Sequence, residues 1–282
     1  MSRTIKFEQV VEAAASLCGR AACFLPQDVK ESLLAAGKKE TGELGKDFFR
    51  QYEENFKIAE ADHLPLCQDT GFAVWFVEYG TDLKLDKGDI YAALNEGTRQ
   101  GYTAHFLRKS IVTDPLFDRK NTKDNTPCII HLTLVEGDQL KLTLAPKGGG
   151  SENMSALKML KPSDGRAGVV KFIVDTVVAA GGNPCPPTVV GVGIGGTMEK
   201  AALLAKTALL RDIGKPNADP RYAELEKEIL EKINASGVGP QGLGGDITSL
   251  AVHIEWHPCH LASLPVAVNI NCHAARHAQV IL

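Results

Sequence analysis

An α/β fold of mixed, α+β type is predicted by three features of the chain. Residues 1–62 show helical spacing and no strand-like run. From residue 63 onward, apolar runs of strand length alternate with amphipathic helices. Glycine- and proline-rich loops stand at the ends of those runs. One domain over 1–282 is expected, with a helical N-terminal portion followed by a mixed sheet with flanking helices over 63–282.

The elements follow in order. Apolar positions at i, i+3 and i+4 predict helices over 7–23, 28–36 and 44–61, punctuated by Pro26, Gly37 and Pro65. The run Ala73-Val74-Trp75-Phe76-Val77 predicts a buried strand, and 90–101 a helix closed by glycine. Segments 127–136 and 139–144 predict a hairpin turning on Gly137-Asp138. Beyond a glycine-rich stretch at 146–152 come helices over 165–180, 197–211 and 220–234, a strand over 188–192, and strand-like runs at 250–256 and 264–270. No internal repeat is present.

Composition narrows the function classes. With 44% apolar and 23% charged residues, 282 residues bury a substantial core. A formal charge of −3 with no sustained basic run argues against a nucleic-acid partner. No run approaches the roughly 18 apolar residues of a membrane span. Glu8 and Glu12 interrupt the first apolar stretch, so it reads as a helix rather than a signal peptide. Seven cysteines without a secretion signal point to a reducing, cytoplasmic setting in which thiols act as ligands, nucleophiles or core residues.

Three of those cysteines lie outside any disulfide or zinc spacing, each in a loop at the edge of an apolar run: Cys67 in LPLCQDTGF, Cys185 in GGNPCPPTVV and Cys272 in VNINCHAARH. They are far apart, so a shared metal must be assembled by the tertiary fold. Three thiolates without a fourth suggest an iron-sulfur cluster with one open iron, a Lewis acid suited to catalysis. Gln68 and Asp69 follow Cys67, so one turn delivers a thiol, an amide and a carboxylate; the plain alternative is a free cysteine beside a turn aspartate. Pro184, Pro186 and Pro187 fix the chain around Cys185, whether as a ligand or as a core residue.

Five of the eight histidines lie between His253 and His277, and Cys259-His260 and Cys272-His273 form two pairs without zinc spacing. His260 is a candidate acid if a carboxylate such as Asp69 holds its ring. Cys18, Cys23 and Cys128 read as packing residues. Gly191 to Gly196 satisfies G-x-G-x-x-G after a strand, with Asp212 further on, a competing sign of nucleotide binding; its glycines would equally let backbone approach a neighbour. Lys147 and the glycines at 148–150 suit an anion nest, and the segment 239–246 is similar. Arg108 suits bidentate grip of a carboxylate, or else a surface ion pair.

Taken together, LCQDTG, APKGGGSENMS, NPCPPTVVGVGIGGT, GPQGLGGD and PCHLASLPVAVNINCHAARH resemble the class I, iron-sulfur fumarate hydratase and L-tartrate dehydratase family, from about residue 60 to the C-terminus. The chain looks like the alpha subunit of the two-chain form and its cluster-binding N-terminal domain. The resemblance implies a 4Fe-4S cluster on Cys67, Cys185 and Cys272, with Cys259 the alternative to Cys272. It implies a small dicarboxylate substrate bound by Gln68, Asp69, Arg108 and Gly149, with Lys147 beside them, and acid-base work by His260 and Asp69.

The activity so implied is reversible hydration of fumarate to L-malate, with L(+)-tartrate dehydration as the alternative. An NAD-binding oxidoreductase and a non-catalytic cluster scaffold are the readings from other classes. Single-chain members continue into a C-terminal domain that supplies the base; here it is expected on a separate beta subunit, in a dimer or heterotetramer.

Overall fold

The computed structural model describes residues 3–282 and is mixed α/β. Its first part contains β1 (Arg3–Ile5), α1 (Phe7–Cys23), α2 (Gln27–Lys39), α3 (Glu43–Asp62), β2 (Phe72–Gly80), β3 (Leu83–Leu85), α4 (Ile90–Ala104), β4 (Ile129–Val135) and β5 (Leu140–Lys147). There follow α5 (Gly149–Glu152), β6 (Ala156–Leu160), α6 (Gly165–Ala180), β7 (Thr188–Gly195), α7 (Met198–Ala208), α8 (Pro220–Asn234), β8 (Ser249–His257), β9 (Leu264–Asn271) and β10 (Ala278–Ile281). Among the described residues no helix is long and apolar enough to cross a membrane.

The chain divides into two compact units, and neither follows the expected boundary near residue 62. Unit 1 takes Met1–Pro26, Phe56–Gly149 and Arg276–Leu282; unit 2 takes Gln27–Asn55 and Gly150–Ala275. Hydrophobic period marks the longer elements but not which sheet each one joins.

Unit 1 is built on a four-stranded sheet of order β10-β5-β2-β4, with β2 antiparallel to β5 and parallel to β4. The expected hairpin between β4 and β5 is therefore absent, because β2 lies between them. Ala73, Val74, Trp75 and Val77 of β2 are buried, so this strand belongs in the sheet interior, whereas β4 exposes Ile129 and Leu134 and takes the edge. The Gly137 turn crosses the end of β2 instead: the Gly80 N–H donates to Gln139 O and the Asp82 N–H to Gly137 O.

α1 and α4 cover this sheet through Val10, Ala14, Leu17, Leu94 and Tyr102. Helix α4 runs past Gly101 because that glycine is a close-packing position; a Cβ there would fall 2.7 Å from Cys18 Cβ. Cys18, Cys23 and Cys128 are all buried in this core. Burial pushes the Cys18 thiol up, as expected of a packing thiol, and that of Cys128 to about 11.

Unit 2 holds a second four-stranded sheet, β6-β9-β7-β8, in which β7 is parallel to β8 and antiparallel to β9. All eight residues of β7 are buried, which its Val, Ile and Gly composition permits. Val170, Ile173 and Val177 of α6 and Leu225, Ile229 and Ile233 of α8 join Val190, Val192, Ile254 and Ile270 in one core. Glu40, which follows α2, is 2% exposed, and its carboxylate accepts N–H bonds from Gly42, Asp246 and Ile247. That carboxylate anchors the glycine-rich 239–246 loop.

Candidate active site

In unit 1 the chain leaves α3 and turns through Cys67–Gly71 before entering β2. Cys67 is half-buried, and its Sγ accepts the Asp69 N–H at 3.4 Å. The Asp69 carboxylate accepts the Gly71 N–H at 3.1 Å on Oδ1 and the Gly149 N–H at 2.8 Å on Oδ2. Those two donors set its rotamer. Gly71 has φ +84°, and a Cβ there would meet Lys147 backbone at 2.8 Å, so only glycine lets the turn lie against the end of β5.

Three further side chains grip the turn. The Tyr102 hydroxyl donates to Gly71 O at 2.9 Å and to Thr70 O at 3.3 Å, and Asn125 Nδ2 donates to Gly71 O at 3.2 Å. Burial drives the Tyr102 hydroxyl pKa upward, so it remains a donor. Thr70 Oγ1 accepts the Arg108 N–H at 3.0 Å and donates to Arg108 O at 3.3 Å, which fixes Arg108 beside the turn with its side chain exposed. Gln68 is exposed, and its Oε1 lies 3.5 Å from Cys67 Sγ. Unit 1 thus brings Cys67, Gln68, Asp69, Arg108, Lys147 and Gly149 to one place. Lys147 is buried there with its backbone paired to Phe72.

In unit 2, Cys185 sits between α6 and β7 with φ +56°, exposed, just before the cis Pro186–Pro187 bond. Its carbonyl accepts the His273 N–H at 3.2 Å and lies 3.1 Å from His273 Nδ1. The His273 ring stacks on Tyr52 with centroids 4.2 Å apart. Tyr52 in turn donates to Pro186 O at 3.0 Å and accepts from Gln241 Nε2 at 2.7 Å. Burial first, and then the neighbouring Cys185 and Cys272 thiols, push the Tyr52 hydroxyl up to about 12, against the bond from Gln241. The Cys185 carbonyl thus meets the residue that follows Cys272. Cys259 lies on the exposed loop after β8, with its Sγ donating to Ser263 O.

His260 is exposed on that same loop, and its Nδ1 accepts the Ala262 N–H at 3.2 Å. Its ring is oriented by its own loop, while the Asp69 carboxylate is engaged by Gly71 and Gly149.

The match to known proteins settles the family. The family model described as fumarate hydratase (Fumerase) matches residues 11–281. The chain belongs to the fumarate hydratase family. Its relatives include a protein of Methanocaldococcus jannaschii named provisionally as L(+)-tartrate dehydratase subunit alpha, 46% identical over 276 residues and covering 96% of each chain. The L(+)-tartrate dehydratase subunit alpha of Escherichia coli O157:H7 is 33% identical, over 97% of this chain and 91% of its own, and that of the K12 strain likewise.

This membership makes the protein a hydro-lyase. In this member of the fumarate hydratase family, Gly191 and Gly193 lie inside β7 rather than in a loop, and a Cβ on either would strike Ala205 O at 2.1 Å or Ala201 O at 2.0 Å of α7. At these two positions the glycine pattern serves close helix-on-sheet packing.

Among the described residues no three His, Cys, Asp or Glu side chains gather as ligands of a single metal ion. The thiols nonetheless suit iron-sulfur ligation. Cys67 Sγ already receives a backbone N–H, the kind of bond that tunes a cluster sulfur, and soft thiols select iron-sulfur clusters over hard cations. Tyr52 and Arg276 gave no sign in the sequence, since a side chain that grips a backbone carbonyl carries no spacing signal of its own. Glu152 pairs with Lys206 and Asn269 and so braces β9 just before Cys272.

Proposed function

We propose that this chain is the alpha subunit of an L(+)-tartrate dehydratase, with Cys67, Cys185 and Cys272 holding a 4Fe-4S cluster and a companion beta subunit completing the enzyme. The carrying observation for the substrate is near-full-length similarity, 46% identical, to a chain bearing that name. Hydration of fumarate, the activity the sequence motifs imply first, is the second reading, favoured by the description of the family model.

Removing water from tartrate takes a hydroxyl from one carbon and a proton from the next, giving the enol form of a keto diacid. When bound, the cluster supplies a Lewis-acidic iron for the departing oxygen. The residues of this chain bind and orient. The Arg108 guanidinium pairs with a substrate carboxylate, its backbone held by Thr70. The Asp69 carboxylate, fixed by two N–H donors, aligns the leaving hydroxyl, and His260 is the candidate donor of its proton. Gly149 contributes by holding Asp69, and Lys147 by packing its backbone against the turn. Abstraction of the C–H proton falls to the companion subunit.

The test is anaerobic purification with the companion chain followed by assay of L(+)-tartrate, fumarate and L-malate. A higher kcat/KM for tartrate supports the proposal, and a higher value for fumarate restores the second reading. Cys67→Ser should abolish cluster absorbance and turnover together; turnover without the cluster would defeat the mechanism.

A further inference from the structure

Arg276 follows the Cys272 loop, belongs to unit 1, and is 5% exposed. Its Nη2 donates to the Asp69 carbonyl at 2.5 Å, while its buried Nε and Nη1 have no hydrogen-bond partner among the described residues. Among the described residues no carboxylate forms an ion pair with it. Burial raises the pKa of the nearby Cys23 thiol and Tyr102 hydroxyl, so neither offers an anion. A guanidinium kept from water without a counter-ion is costly, and removing one partner of a buried pair leaves this kind of orphan.

The neighbouring turn shows where the missing charge belongs. Asp69 uses both of its backbone groups: the carbonyl accepts from Arg276, and the N–H donates to Cys67 Sγ. The cation is thus tied directly to the turn that presents a sulfur ligand. A cluster carried on three thiolates has net negative charge, and a thiolate is the natural partner of a buried cation.

We propose that Arg276 is a positioning residue and the buried countercharge of the cluster on the Cys67 side, a role that rests on the iron-sulfur reading above. Arg276 holds the Asp69 carbonyl and, through charge, favours the more reduced cluster. Its uncompensated state in the metal-free chain is relieved when the cluster is assembled.

The experiment compares wild type, Arg276→Lys and Arg276→Met, each co-expressed with the companion subunit and purified anaerobically, then measured with the cluster and after its removal by a chelator. Loss of the charge should lower the cluster's reduction midpoint and speed bleaching of its absorbance in air several-fold, and the lysine variant should stay near wild type. The melting temperature should respond with opposite signs: Arg276→Met lowers it with the cluster and leaves it unchanged or raised without it. Equal destabilisation of both forms, with an unchanged midpoint, overturns the inference, as does a wild-type protein that assembles no cluster. A cluster-bearing enzyme that dehydrates neither tartrate nor malate defeats the functional reading and leaves the role of Arg276 standing.

Discussion

The turns that carry Cys67 and Cys185 are held in different ways. The Cys67 turn is gripped by side chains: Tyr102, Asn125, Thr70 and Arg276 reach its backbone, and Asp69 folds back onto Gly71 and Gly149. The Cys185 turn is held mainly by its own backbone, with φ +56° at the cysteine, prolines on both sides, and carbonyls pinned by His273, Tyr52 and the Gln241 N–H. On the proposed function, the turn that also carries Gln68 and Asp69 for substrate must orient side chains, and many tethers do that. A turn that carries only a sulfur needs one atom in place, and a constrained backbone suffices.

Four measurements break or sharpen this contrast. The largest effect is expected for Asp69→Asn, which keeps the size of the side chain and removes its charge. Turnover should fall by about 10²–10⁴ with little change in melting temperature, and a variant that melts early without a loss of kcat would make Asp69 structural. Next comes Gly71→Ala. Its Cβ would meet Lys147 backbone at 2.8 Å from a φ of +84°, and strain plus overpacking should cost about 2–4 kcal/mol in denaturant unfolding.

Tyr52 gives a pH signature to the Cys185 side. Its hydroxyl is raised to about 12, so the fold favours the neutral phenol over its ionised form. The resulting stability is complete below pH 10 and is lost as pH rises from there toward 12, because the unfolded chain ionises first. The loss should reach about 1 kcal/mol near pH 11, and Tyr52→Phe should flatten stability measured by urea unfolding across that range. The smallest effect is a comparison of metal-free variants: Cys185→Gly should exceed Cys185→Ala in stability by about 1 kcal/mol, since glycine adopts positive φ without strain. Equal stabilities would show that the φ of +56° costs nothing and that the contacts alone hold the turn.

Much of this was legible in the chain. Helices over Phe7–Cys23, Gly165–Ala180 and Pro220–Asn234 follow from spacing and end signals, and the observed bounds agree. The cysteine turn with Gln68 and Asp69 was readable because one short segment holds the whole constellation. Strand pairing was not: adjacent β4 and β5 suggest a hairpin, and only the burial of β2 on both faces shows that it must lie between them. The short β6 and β10 were also missed, because four or five residues carry too little alternation to rise above a loop.

By itself, the order of residues determined the family, the mixed α/β class and the inventory of thiols, carboxylate and guanidinium, because these are carried by local spacing and by residue types that chemistry cannot exchange. Tertiary structure alone decided that Gly191 and Gly193 serve packing against α7, that the Cys185 carbonyl meets His273 just after Cys272, and that Arg276 stands buried against the Asp69 carbonyl. Each of those depends on atoms brought together across long stretches of chain, where burial and close approach, not sequence spacing, set which groups meet.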